Sequence, residues 1–154
     1  MPAVVISRSL RAVLGDENAT DLACDFRDYK AGITSFGATF GRDKEFGWPS
    51  EVTAHELWHV HLEDEAASST WDYLTENYSR NRFSQDNYTS DTMLVYGRVW
   101  DAYKSPYLLL TILSPDGHAQ MDDRERMRAL AAEYAEERLE FARKMPCSEW
   151  IIVE

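Results

Sequence analysis

The chain has 154 residues, 44% of them hydrophobic and 28% charged, with a formal net charge of −11. That length suits one domain, spanning 1–154, able to bury roughly 70% of its unfolded surface in a real core. The charge excludes a general attraction to nucleic acid or to an anionic membrane, and it favours a basic protein partner.

No apolar run approaches the roughly 18 residues of a membrane span, and the N-terminus lacks the pattern of a signal peptide. The expectation is a cytoplasmic protein with neither a membrane nor DNA as a direct partner. Cys24 and Cys147 are too few for a disulfide scaffold and too far apart for a Cys-x-x-Cys site, so both read as free thiols.

Ala3 to Ile6 is a short apolar run that fits a first strand. Gly15-Asp16-Glu17-Asn18 is turn-like, with Asp16 or Asn18 placed to cap a helix over 19–31. Leu22, Ala23, Phe26 and Tyr29 form the apolar stripe of that helix, and Gly32 ends it. Asp21, Asp25, Asp28 and Lys30 read as its solvated face. Residues 33–50 hold several glycines and a proline and read mostly as loop, with aromatic anchors at Phe40, Phe46 and Trp48. Residues 66–92 are polar and the hardest to place; a loop of that length is unusual, so at least one helical turn is expected around 69–77. Met93 to Trp100 and Tyr107 to Leu113 carry strand signals and are joined by a compact hairpin connection. Tyr107 to Leu113 fits the central strand. Ser114-Pro115-Asp116-Gly117 is a turn that delivers His118. Asp122 to Arg143 is the longest helix, acidic at its start and basic at its end, with a core stripe of Met127, Leu130, Ala131, Tyr134 and Phe141. Pro146 stops it, and Trp150 to Val153 fits an edge strand. The pattern is α+β, a small and mostly antiparallel sheet packed with an N-terminal helical segment and a long C-terminal helix.

Three of the four histidines fall in His55-Glu56-Leu57-Trp58-His59-Val60-His61. Read as a helix, His55, Glu56 and His59 spell H-E-x-x-H, the zinc-peptidase motif. Read as a strand, His59 and His61 share one face with Leu57, while Trp58, Val60 and Leu62 point to the other. The strand reading gives an acid–base site of His59, His61 and His118. Cleavage of RNA by attack of the ribose 2′-hydroxyl on its own phosphate needs a base, an acid and a cation, and no metal or cofactor. Arg42, Arg82 or Arg98 could receive the phosphate. A zinc metallopeptidase and a non-enzymatic acidic binding protein remain the alternatives.

The succession Asp25-Phe26-x-x-Tyr29-Lys30, Phe40-Gly41-Arg42-Asp43, Trp48-Pro49, His59-Val60-His61-Leu62, Ser90-Asp91, Leu94-Val95-Tyr96, Leu108 to Leu113 and Pro115-x-x-His118 resembles the YafO family of bacterial type II toxins over roughly residues 20–140. The resemblance implies a RelE-like fold and a ribosome-associated endoribonuclease, an mRNA interferase held inactive by a cognate antitoxin, with the ribosome and translated mRNA as partners. It places family histidines on His59, His61 and His118, the loop arginine and aspartate on Arg42 and Asp43, and an aspartate ahead of a strand on Asp91. His55 and Glu56 lie outside the pattern.

Overall fold

The computed structural model describes residues 1–78, 83–144 and 148–154. Its strands are β1 (Val4–Ile6), β2 (Phe40–Glu45), β3 (Trp58–Leu62), β4 (Met93–Arg98), β5 (Tyr107–Leu113) and β6 (Ile151–Val153). They form one sheet in the order β2-β3-β4-β5-β1-β6. Only the β1–β5 pair is parallel; the other pairs are antiparallel. The fold is the expected α+β.

Strand β5 lies inside the sheet with both faces covered, which explains its unbroken apolar run. Leu108 and Leu110 enter one core with α6 (Arg124–Lys144), while Leu109 enters the other with α1 (Arg8–Leu14) and α2 (Asp16–Lys30). All five residues expected in the stripe of α6 are buried. That stripe also carries Glu137, whose two carboxylate oxygens accept from the Arg8 amide at 2.6 Å and the Arg8 Nε at 2.8 Å. Helix α1 was not expected. Ser7 starts it, accepting from the Leu10 amide at 3.1 Å while its hydroxyl donates to the Leu110 carbonyl at 2.6 Å. One buried side chain thus caps the helix and ties it to the central strand. Gly15, at φ 81°, breaks α1 from α2, and Asp16 pairs with Arg11 rather than capping.

Residues 33–50 are mostly loop, as expected, but they also hold an unexpected strand: β2 pairs along β3, and α3 (Ser50–Thr53) follows it. Polar positions hid β2, because its partners are polar too. Asp43 accepts from Tyr29 Oη at 2.8 Å, Lys30 Nζ at 2.8 Å and Tyr96 Oη at 2.7 Å. Lys30 therefore does not lie on a solvated face. Its ammonium sits within 6 Å of the ring centroids of Phe26, Tyr29, Trp58, Tyr96 and Tyr107. Burial beside the Asp43 carboxylate pushes the Tyr29 and Tyr96 hydroxyls well above the usual phenol range, so both stay protonated and donate.

The register of β2 against β3 carries a bulge. Phe40 pairs with Leu62 and Asp43 with Val60, so Gly41 and Arg42 together stand opposite His61. Glycine is required there, since a Cβ on Gly41 would run into the Tyr88 carbonyl and lie 2.7 Å from the Trp71 ring. Trp71, on α4 (Ser68–Glu76), belongs with Leu74 and Tyr88 to a third, smaller core. That helix meets the expectation for 69–77. A short α5 (Gly117–Asp122) precedes α6. Pro146 and Cys147 lie outside the described residues. No helix among the described residues is long and apolar enough to cross a membrane.

Asp43→Leu is expected to destabilise the fold by about 3 kcal/mol, because it strands the buried Lys30 ammonium. Lys30→Met combined with Asp43→Leu should recover most of that loss. Urea unfolding of the two single variants and the double variant measures the coupling, and simple additivity of the two changes would rule out the pairing.

Candidate functional site

Period-two alternation on β3 sends Val60 into the α2-side core and turns His59 and His61 to the opposite face. Both rings are buried, at 9% and 3% exposure. His118, in the first turn of α5, completes a row: the His59 and His61 ring centroids are 6.0 Å apart, those of His61 and His118 5.6 Å.

The segment 88–92 holds this row in place, and its carbonyls can be followed one by one. Tyr88 accepts from the Arg42 amide at 2.8 Å, Thr89 from Trp71 Nε1 at 2.8 Å, Asp91 from the Gly117 amide at 2.9 Å and Thr92 from the Leu62 amide at 2.8 Å. The Ser90 carbonyl lies 2.8 Å from His61 Nδ1, and the Ser90 amide lies 2.9 Å from the same nitrogen. His61 Nδ1 therefore has a partner in either tautomer, as donor to the carbonyl or acceptor from the amide. Its Nε2 can gain or lose a proton without orphaning Nδ1.

Asp91 fixes His118 from both ends. One carboxylate oxygen accepts from the His118 amide at 2.9 Å and faces its Nδ1 at 2.7 Å. These bonds, the backbone one foremost, hold the Asp91 carboxyl below the usual range, so it stays ionised. An ionised carboxylate only accepts, which puts the proton on Nδ1 and leaves Nε2 of the exposed ring as a base. Gly117 permits the close approach: a Cβ there would lie 2.6 Å from the Asp91 carbonyl oxygen and 3.0 Å from Met93 Sδ.

His59 differs from the other two. Its ring packs on Phe46 at 4.4 Å between centroids, and its buried Nδ1 has no hydrogen-bond partner among the described residues. Burial, reinforced by neighbouring His61, lowers its pKa to about 4. Burial also lowers the pKa of His61, against the bond to Ser90. Both rings are neutral at neutral pH.

Arg42 emerges from the bulge on this face, exposed, and its charge lowers the pKa of both histidines. It makes no ion pair or side-chain hydrogen bond among the described residues. Asp43, its neighbour, points through the sheet into the Lys30 network and is structural. Arg98 also lies apart: it stacks over Trp100 and Tyr107 on the α2-side face. Arg82 lies outside the described residues.

The H-E-x-x-H reading fails on geometry. His55 and Glu56 sit in a turn after α3, Glu56 with φ 53°, and His59 is already on β3, so no helix carries the three together. Two contributors escaped the sequence reading. Ser90 acts through its backbone and leaves no side-chain signature, and Phe46 reads as a loop anchor until β2 is known. Only the glycine beside Arg42 hinted at the bulge.

The buried histidines should make stability depend on pH. A folded pKa of about 4 against an ordinary value of 6.5 means that the unfolded chain binds the proton first as pH falls. Stability is complete above pH 6.5 and declines toward pH 4, by about 2 kcal/mol between pH 7 and pH 5 from His59 alone. Urea unfolding at the two pH values should show that decline in the wild type and a smaller one in His59→Phe; equal slopes in both would contradict it.

The profile of a family described as Toxin YafO, type II toxin-antitoxin system, matches residues 27–139. No curated protein and no solved structure matches the chain. A toxin of this class is paired with a cognate antitoxin. The matched span covers well over half of the chain, runs from the last turn of α2 into α6 and takes in Arg42, Asp91 and all three histidines of the row, and the chain belongs to the YafO family of type II toxins.

Proposed function

We propose that this toxin is a ribosome-dependent endoribonuclease that cleaves mRNA by metal-independent acid–base chemistry on the His61–His118 face. The observation that carries the reading is the Asp91–His118 pair beside His61: an oriented base next to a ring whose far nitrogen is free to exchange a proton. Nε2 of His118 takes the proton from the ribose 2′-hydroxyl. The 2′-oxygen attacks phosphorus, a 2′,3′-cyclic phosphate forms, and the bond to the 5′-oxygen breaks. Nε2 of His61 supplies the proton to that leaving oxygen. His61 must be charged to supply that proton, and although burial lowers its pKa in the free protein, a phosphodiester anion beside the ring favours its charged form once RNA is bound. Arg42, unpaired among the described residues and projecting from the bulge opposite His61, holds the phosphate and stabilises the charge that develops on it. His59 backs His61 as a neutral, buried ring.

A net charge of −11 repels free RNA, which accords with a substrate presented by the ribosome rather than captured from solution. The cognate antitoxin would silence the toxin by covering this face. The protein then works in the cytoplasm, where translated mRNA is found.

Induced expression should arrest growth and deplete mRNA. His118→Ala is expected to slow cleavage on translating ribosomes by about 10²–10⁴-fold, the usual worth of a general base. Asp91→Asn, which loses the orienting charge, should cost less than His118→Ala. Growth arrest by a His59→Ala, His61→Ala double variant equal to that of the wild type would overturn the reading.

A further inference from the structure

The face of the sheet opposite the histidines carries a cleft of about 380 Å³ that the proposed chemistry does not use. Its walls are aromatic. Trp58 and Tyr96 stack with centroids 6.4 Å apart, and Tyr107 and Trp100 continue the surface beyond them. Trp58 is 37% exposed and Trp100 61%, a large area of indole to leave in water unless something covers it.

The charges around these rings are unequal. Lys30 at the floor is neutralised by Asp43 at 2.8 Å. Arg98 contributes one positive charge, held by its Nε bond to the Ser105 carbonyl at 3.0 Å and stacked 4.3 Å from the Trp100 centroid. Against it stand Glu45 and Glu56, both lining the cleft, both exposed, and neither with its carboxylate in an ion pair or hydrogen bond among the described residues. The rim is therefore net negative, as is the whole molecule. Lys30 and Arg98 already show that these rings accept cations.

The geometry points to a docking site for a basic protein segment, with an arginine or lysine side chain of the partner laid against Trp58 and Trp100 and paired with Glu45 and Glu56. Aromatic faces attract a cation, and a planar guanidinium both stacks on indole and pairs with carboxylates. A nucleic acid strand would find the same rings but would bring its phosphates to two free carboxylates on an acidic protein. The inference is independent of the histidine row, so each can fail alone.

The test uses the full chain and a capped pentapeptide carrying two arginines among alanines. Controls are the same peptide with glutamates in place of the arginines, and single-stranded oligouridylate. Indole N–H resonances, assigned with Trp58→Phe and Trp100→Phe, are followed by NMR. The arginine peptide should shift those two indoles, less so as salt rises, while the controls leave them in place. Glu45→Gln with Glu56→Gln should weaken that binding at least tenfold and leave growth arrest unchanged. Shifts caused by the oligonucleotide instead, shifts spread evenly over the other tryptophans, or binding unaffected by the double variant would each overturn the proposal.

Discussion

One extra residue in β2 governs how this molecule is divided. Because Gly41 and Arg42 together oppose His61, Phe40 and Asp43 both face the α2 layer although two residues separate them. Phe40 fills the core there, and Asp43 becomes the acceptor around which Tyr29, Lys30 and Tyr96 are arranged. Arg42 is left on the other face, its guanidinium without an ion pair or hydrogen bond among the described residues. Removing the extra residue would flip every later side chain of β2. Asp43 would then face two neutral histidines, and Lys30 would lose its counter-ion inside a ring of aromatics.

That constraint explains which parts of the sequence could be read. Strand β5 and helix α6 were legible because apolar burial decides most of their inward positions: the side chains of Leu108 to Leu110 and of the Met127 to Phe141 stripe enter the two main cores. Strand β2 was illegible for the converse reason. Phe-Gly-Arg-Asp-Lys-Glu has no period-two apolar pattern, since its inward positions are filled by a carboxylate and a glycine whose partners come from α2, α4 and β4. Lys30 misled in the same way. A lysine at the end of an amphipathic helix reads as solvated until five rings and a carboxylate converge on it from other elements.

The candidate site was partly legible. The His59–His61 spacing fixed a shared face once a strand was assumed, and the turn before His118 fixed its delivery. The support was hidden in 88–92, a polar stretch with little apolar pattern. Its order comes from hydrogen bonds taken by successive backbone carbonyls, from a bulge residue, an indole, a helix start and a neighbouring strand. Backbone acceptors are the same in every residue, so such a scaffold leaves almost no trace in sequence. The HELWH spelling shows the reverse case. It is a strong pattern in letters, yet α3 ends at Thr53, and the turn through Glu56, at φ 53°, leads into β3 before His59.

Strand β3 joins the two functional proposals physically. Its alternation places Trp58 on one face and His59 on the other, one residue apart. Trp58 stacks on Tyr96, and Tyr96 bonds to Asp43, whose chain neighbour is Arg42. A partner that covered Trp58 would therefore press on β3, which holds His61, and, through Tyr96 and Asp43, on β2, which holds Arg42. Close-packed sheets shift as units rather than deform locally. If both proposals hold, binding on the aromatic face would be felt at Arg42, the residue the proposed chemistry assigns to the phosphate, without touching it. Such coupling would run through the Tyr96–Asp43 bond and the bulge to Arg42, whose side chain makes no ion pair or hydrogen bond among the described residues.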